Sequence, residues 1–204
     1  MAERRVVLFV DNQNMYKGAR TAFFPLWADY VAGQFDPVGM GELICQRAPS
    51  ETVYRLEGVR VYTGQPDSTK DPTGYGASRK QQAHWRKRGA EVIARPLRYP
   101  FNYPEEKPEE KGIDVQLAID FVAMAIDHDF DVGVVASTDT DLLPALDFVR
   151  RKYPRGRKVE VAAWKADDRR YNPRLSLQGD RIWCHWMERA AFEGIQDATD
   201  YVRT

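Results

Sequence analysis

Short runs of β-branched and small apolar residues, separated by helix-length segments, constrain this chain more than any other feature. "RRVVLFV" (4–10) and "DVGVVA" (131–136) read as strands buried on both faces. "TVYRLEGVRVYTG" (52–64), "AEVIARPL" (90–97), "RKVEVAAW" (157–164) and "DRIWCHW" (180–186) read as further strands. Helical segments fall between them. One begins near Asn12, one covers "DPVGMGELICQRA" (36–48) despite Gly39 and Gly41, and a polar, basic one covers "GYGASRKQQAHWRKRG" (74–89), which Gly89 would end. In "GIDVQLAIDFVAMAID" (112–127), Val115, Ala118, Phe121, Val122 and Ala125 recur at helical spacing, which predicts that this stripe faces a core. "DLLPALDFVRRK" (141–152) tolerates Pro144 because it lies in the first turn, and "ERAAFEGIQDA" (188–198) reads as a terminal helix. Strands alternating with helices need right-handed crossovers. The predicted fold is α/β with three layers: a twisted, mostly parallel sheet with helices on both faces.

A chain of 204 residues suffices for one large domain and is marginal for two. We expect a single domain over 1–204, with an exposed loop at 98–111 and a C-terminal helix or tail at 187–204. The loop, "RYPFNYPEEKPEEK", carries three prolines and a charge run, and reads either as a plain linker or as a flap over a site. Two cysteines without a CxxC spacing exclude a thiolate zinc site and argue against a disulfide framework. The start "MAERRVV" is too short and polar for a signal peptide, and no apolar run approaches the roughly 20 residues of a membrane span. No membrane partner is expected, and a cytoplasmic setting is the default.

The net charge is zero, but the charges are segregated. Eight aspartates and no lysine or arginine occupy 114–147, whereas seven basic residues and one acid occupy 79–98. In an open parallel sheet, sites form at the carboxyl ends of the strands. Asp11 follows the first strand, and Ser137, Thr138, Asp139 and Asp141 follow the strand at 131–136. Asp114 begins the helix that feeds that second strand, so its N-terminus returns to the same edge. Topology alone therefore delivers Asp11, Asp114 and Asp139 to one rim. Asp120 lies about 9 Å further along the helix and rotated away, so a salt bridge or helix-surface role is as good a reading as site support. Two carboxylates about 4 Å apart repel by roughly 4 kcal/mol at an effective dielectric near 20. Either the acids are protonated or a divalent cation sits among them. Oxygen-only donors select Mg2+ or Mn2+. Singly, Asp139 also reads as a helix N-cap, and Asp114 as a carboxylate favouring the positive end of its helix.

The motifs "FVDNQN", "KGIDVQLAID" and "VASTDTDLLPAL" resemble those of the NYN domain family, a PIN-like, FLAP-nuclease-type group of metal-dependent nucleases, over roughly residues 4–186. The third motif departs from the family's Ser-Gly-Asp-Ser-Asp-Phe: Thr138 replaces the Gly and Leu142 the Phe. Because Thr cannot replace Gly where φ is positive, the loop backbone is expected to differ. The resemblance implies hydrolysis of mainly single-stranded RNA, within the strand, leaving a 5′-phosphate and a 3′-hydroxyl. It implies that Asp11, Asp114 and Asp139 hold Mg2+ or Mn2+, with Asn14, Ser137 and Asp141 orienting them or holding metal-bound water. Arg79, Lys80, Arg86, Lys87, Arg88, Arg95 and Arg98, with Lys111, then become candidate RNA-backbone contacts. Tyr99, Phe101 and Tyr103 become candidate base-stacking rings, whereas Trp85 reads as core. A solvated helix face and a surface loop explain the same residues equally well. Self-association as a homo-oligomer stays open.

Other phosphate folds fit less well. GxGxxG is absent after the first strand, and GxxxxGK[ST] is absent throughout. Gln13 breaks a DxD motif, and Asn12 breaks the acid pair of a receiver-like domain. A non-catalytic RNA-binding or regulatory protein of the same fold is the rival reading, which retention of all three acids opposes. A nuclease for DNA flaps or structured RNA is a third.

Overall fold

Val6 to Val10 are buried to 2% exposure or less, so this strand is covered on both faces and must lie inside a sheet. A computed structural model describes residues 2–48, 51–153, 158–179 and 182–204 and places it there. The elements run β1 (Ala2–Asp11), α1 (Asn12–Phe23), α2 (Pro37–Gln46), β2 (Thr52–Gln65), α3 (Pro72–Arg88), β3 (Glu91–Pro96), α4 (Ile113–Ile126), β4 (Val132–Ala136), α5 (Leu143–Lys152), β5 (Lys158–Trp164), β6 (Trp183–Met187) and α6 (Arg189–Ile195). The six strands form one sheet in the order β3-β2-β1-β4-β5-β6. All neighbouring pairs are parallel, more uniformly than expected. The first residues of the strands expected at 157–164 and 180–186 lie outside the described residues.

Caps explain the helix boundaries. Asp11, Asp36 and Asp71 each accept a backbone N–H in the first turn of α1, α2 and α3, and prolines at 37 and 72 occupy positions that need no donor. Gly89 ends α3 in the left-handed region, at φ 104°. Asp36 belongs to a loop folded around Arg20, whose guanidinium bonds the carbonyls of Ala28, Asp29 and Ala32. Gly33 within it has φ +94°, and a Cβ there would stand 2.5 Å from the Arg20 side chain.

Two cores flank the sheet. One joins α1, α2, α3 and α6 to it through Met15, Ile44, Trp85 and Phe192. The other joins α4 and α5 through Leu117, Phe121, Leu146 and Val149. Trp85, 1% exposed, is core as expected. The face of α4 keeps Phe121 and Ala125 of the expected stripe, with Ala118 and Val122 partly buried against the same core, and departs from it at Val115. Ile113, Leu117, Phe121 and Ala125 point inward, and Val115 is 55% exposed. Apolar residues surround most of this helix, so periodicity alone did not fix its rotation. Ring packing did: Phe121 stacks on Phe130 and meets Phe9 edge-on. Phe121→Ala should therefore cost about 3–5 kcal/mol in urea denaturation. Val115→Ser should stay within about 0.5 kcal/mol. The reverse order would mean a helix rotated from its described face.

Candidate functional site

β1 and β4 are neighbours, with Val10 opposite Ala136, so the residues that follow them meet at the carboxyl edge. Asp11 is 7% exposed. Its Oδ1 accepts the Asn14 N–H at 3.1 Å, and its Oδ2 accepts the Ser137 hydroxyl at 3.0 Å. Ser137 Oγ in turn accepts the Asp139 N–H at 3.1 Å, and Asp139 Oδ1 accepts the Asp141 N–H at 3.0 Å. Asn14 Oδ1 closes the frame, taking the Thr138 N–H at 3.0 Å and the Thr138 hydroxyl at 3.1 Å. The backbone at Thr138 needs no positive φ. Here threonine adds a bond to Asn14 that glycine has no side chain to make.

Asp114 enters from the first turn of α4, preceded by Gly112 at φ 69°. That left-handed residue turns the chain sharply into the helix. Asp114 and Asp141 together line one end of a groove between α4 and α5. Electrostatics tie the acids together. Burial pushes the Asp11 carboxyl above its ordinary value, the bonds from Asn14 and Ser137 oppose this, and the charges of Asp139 and Asp114 push it further up.

One acid escaped the sequence reading. Glu110, in the proline-rich loop, accepts the Gly64 N–H at 2.6 Å at the end of β2. Gln13, with its amide oriented to satisfy both ends, donates to both Glu110 oxygens at 3.0 Å and accepts from Lys17 Nζ at 3.1 Å. Burial raises the Glu110 carboxyl, and the charges of Asp11 and Asp114 act in the same direction. The available signal was its place four residues before Asp114, which a charged-loop reading of 98–111 obscured.

Asp120 does not join these acids. It accepts from Arg60 at 3.1 Å, Tyr62 at 2.9 Å and Gln116 at 2.8 Å, the structural reading of the two considered. The basic residues divide. Arg88 pairs with Asp36 and Glu42, Arg86 reaches the Val92 carbonyl, Lys80 the Tyr201 carbonyl, Arg95 the Gln116 amide, and Lys111 pairs with Glu109. Arg79 and Lys87 are exposed and have no ion pair among the described residues. The Arg98 backbone bonds Glu109 in both directions, pinching the loop shut. Tyr99 has Lys70 over its ring at 5.0 Å and Tyr103 edge-on, while Phe101 stands fully exposed.

The NYN domain model matches residues 5–173. The chain belongs to the NYN domain family. NYN domains are PIN-like nuclease domains, which supports a nuclease role and a nucleic-acid substrate for this protein. No curated protein matches it. Among solved structures, it is similar to a Vibrio parahaemolyticus protein of unknown function, with 19% identity, a TM-score of 0.51, and 78% of this chain and 80% of that one covered. That likeness is one of fold. Among the described residues no helix is long and apolar enough to cross a membrane.

PIN-like nucleases typically depend on a divalent metal. Among the described residues no three acidic, histidine or cysteine side chains form a ready metal cage. The donor chemistry nevertheless fits a hard cation, because a desolvated carboxylate raised by two neighbouring carboxylates gains from one. A raised folded-state pKa means that the folded chain binds the proton more readily than the unfolded one. Asp11 therefore subtracts stability as pH rises above its unfolded value of 3.8. At pH 7 in chelator, Asp11→Asn removes the charge that its neighbours oppose and should melt higher than the parent. Added Mg2+ should raise the melting temperature of the parent and not that of the variant. Calorimetry with and without Mg2+ reads both, and a lower-melting variant in chelator would contradict the charge argument.

Proposed function

We propose that this NYN protein is a Mg2+- or Mn2+-dependent ribonuclease that cuts mainly single-stranded RNA. The observation that carries the reading is the buried Asp11, hydrogen-bonded through Ser137 to the loop bearing Asp139 and electrostatically coupled to Asp114. In this reading Asp11, Asp114 and Asp139 would hold the ion. When bound, such an ion would supply a more acidic water and charge neutralisation at the phosphate. The remaining tasks fall to the chain. Ser137 bridges Asp11 and the Asp139 backbone and so ties the two strand ends together. Asn14 holds Thr138, and the Asp141 N–H fixes one oxygen of Asp139. Asp141 itself orients the far side of the site, beside Asp114 at the groove.

Substrate contacts follow from which cations are free of ion pairs and which lie near the acids. Arg79 is available for phosphate, and Arg95, Arg98 and Lys111 sit on the β3 end and the loop that reaches the acids. Arg86 and Arg88 serve the fold first. Phe101 is the free ring for base stacking, ahead of Tyr99.

Labelled single-stranded RNA should be cleaved with Mn2+ or Mg2+ and spared with chelator. Asp139→Asn should lower the rate by about 10²–10³ or more without a loss of fold by circular dichroism. RNA that is bound and never cut would instead mark the non-catalytic binder. Faster cutting of matched DNA flaps or hairpin RNA would reassign the substrate.

A further inference from the structure

Beside the acids lies a second, uncharged cavity. It has a volume of about 220 Å3, room for one planar heterocycle or a handful of waters at ~30 Å3 each. Its wall starts at Asn12, the residue after Asp11, and continues through Tyr16, Tyr30, Gln34, Gln81 and Trp85. No side chain in this wall carries a formal charge at neutral pH. The Gln82 amide, one residue from the wall, donates to Gln65 Oε1 at 2.8 Å, which sets this turn of α3 level with the carboxyl ends of the strands.

The wall is built and leaves polar capacity unused. Tyr16 donates to the Tyr30 carbonyl at 2.7 Å, and Gln81 Nε2 donates to Gln34 Oε1 at 3.3 Å. Those bonds leave Gln81 an acceptor and Gln34 its amide hydrogens. Asn12 Nδ2 reaches Thr63 at 3.4 Å, leaving Asn12 Oδ1. Trp85 is 1% exposed, yet its indole N–H has no partner among the described residues. Buried donors are rarely left so, and Trp85 is one of the residues that wall this amide-lined cavity, which points to a ligand with hydrogen-bonding edges. Aromatic faces with amide donors and acceptors are how proteins hold an unstacked nucleobase. On the exposed side of the same helix, Arg79 and Lys80 immediately precede Gln81, where a polyanionic backbone would pass.

We propose that this cavity receives one unpaired base of the substrate strand, on the Asn12 side of the acid rim, and so gives the nuclease a base preference. The proposal rests on the nuclease reading for its substrate, but its test does not. The indole N–H signal of Trp85 is identified in ¹⁵N-labelled full-length protein as the one missing from Trp85→Phe. It is then followed while AMP, GMP, CMP and UMP are added in chelator. One nucleotide should move that signal at concentrations about tenfold or more below the others, and Gln81→Leu should abolish this preference with an unchanged melting temperature. If Trp85→Phe does not fold, loss of the preferred nucleotide's affinity in Gln81→Leu, read by calorimetric titration, decides the matter alone. No response would mean that the cavity takes no base, and an equal response to all four would mean that it gives no preference; either result would overturn the proposal. Selective binding without RNA cleavage keeps the pocket and sinks the nuclease reading. Cleavage without selective binding does the reverse.

Discussion

The site depends on one hydrogen bond between neighbouring parallel strands, from the Ser137 hydroxyl to Asp11 Oδ2. It spans 126 residues of sequence and joins the two central strands just past their carboxyl ends. Everything else at the rim is hung from it. Ser137 also receives the Asp139 N–H, Asp139 receives the Asp141 N–H, and Asn14 clamps Thr138. A charged side chain only 7% exposed is tolerated because both of its oxygens are bonded. The remaining tension is the burial of Asp11, to which the charges of Asp139 and Asp114 add, and residues 114–147 hold no lysine or arginine to relieve it.

The arrangement was largely legible in the residues. Fully apolar runs at 6–10 and 132–136 could only be central strands, and parallel connection then forced Asp11, Asp114 and Asp139 to one edge. What was not legible depended on contacts remote in sequence. The rotation of α4 was decided by Phe9 and Phe130, which lie outside that helix. Glu110 read as one more charge in a solvated loop until Gly64 and Gln13 were found beside it. Asp120 read ambiguously because its partners Arg60 and Tyr62 come from β2. Charge counting gave the basic stretch a common task, and geometry divided it between ion pairs within the fold and the few cations left over.

The two sides of the rim are chemically distinct. Asp114 and Asp141 open onto an apolar groove between α4 and α5, whereas Asn12 opens onto a neutral, amide-lined cavity against α3. Negative charge is concentrated between them, where a reacting phosphate would be repelled unless a cation intervened. The surroundings supply shape and hydrogen bonding, and the acids supply a place for charge.

The most direct measurement is anomalous diffraction from crystals of this protein soaked in MnCl2. The account predicts a Mn2+ peak within about 2.2 Å of carboxylate oxygens of Asp11, Asp114 and Asp139 together. Manganese bound elsewhere, with these three carboxylates left uncoordinated at saturating concentration, would contradict it.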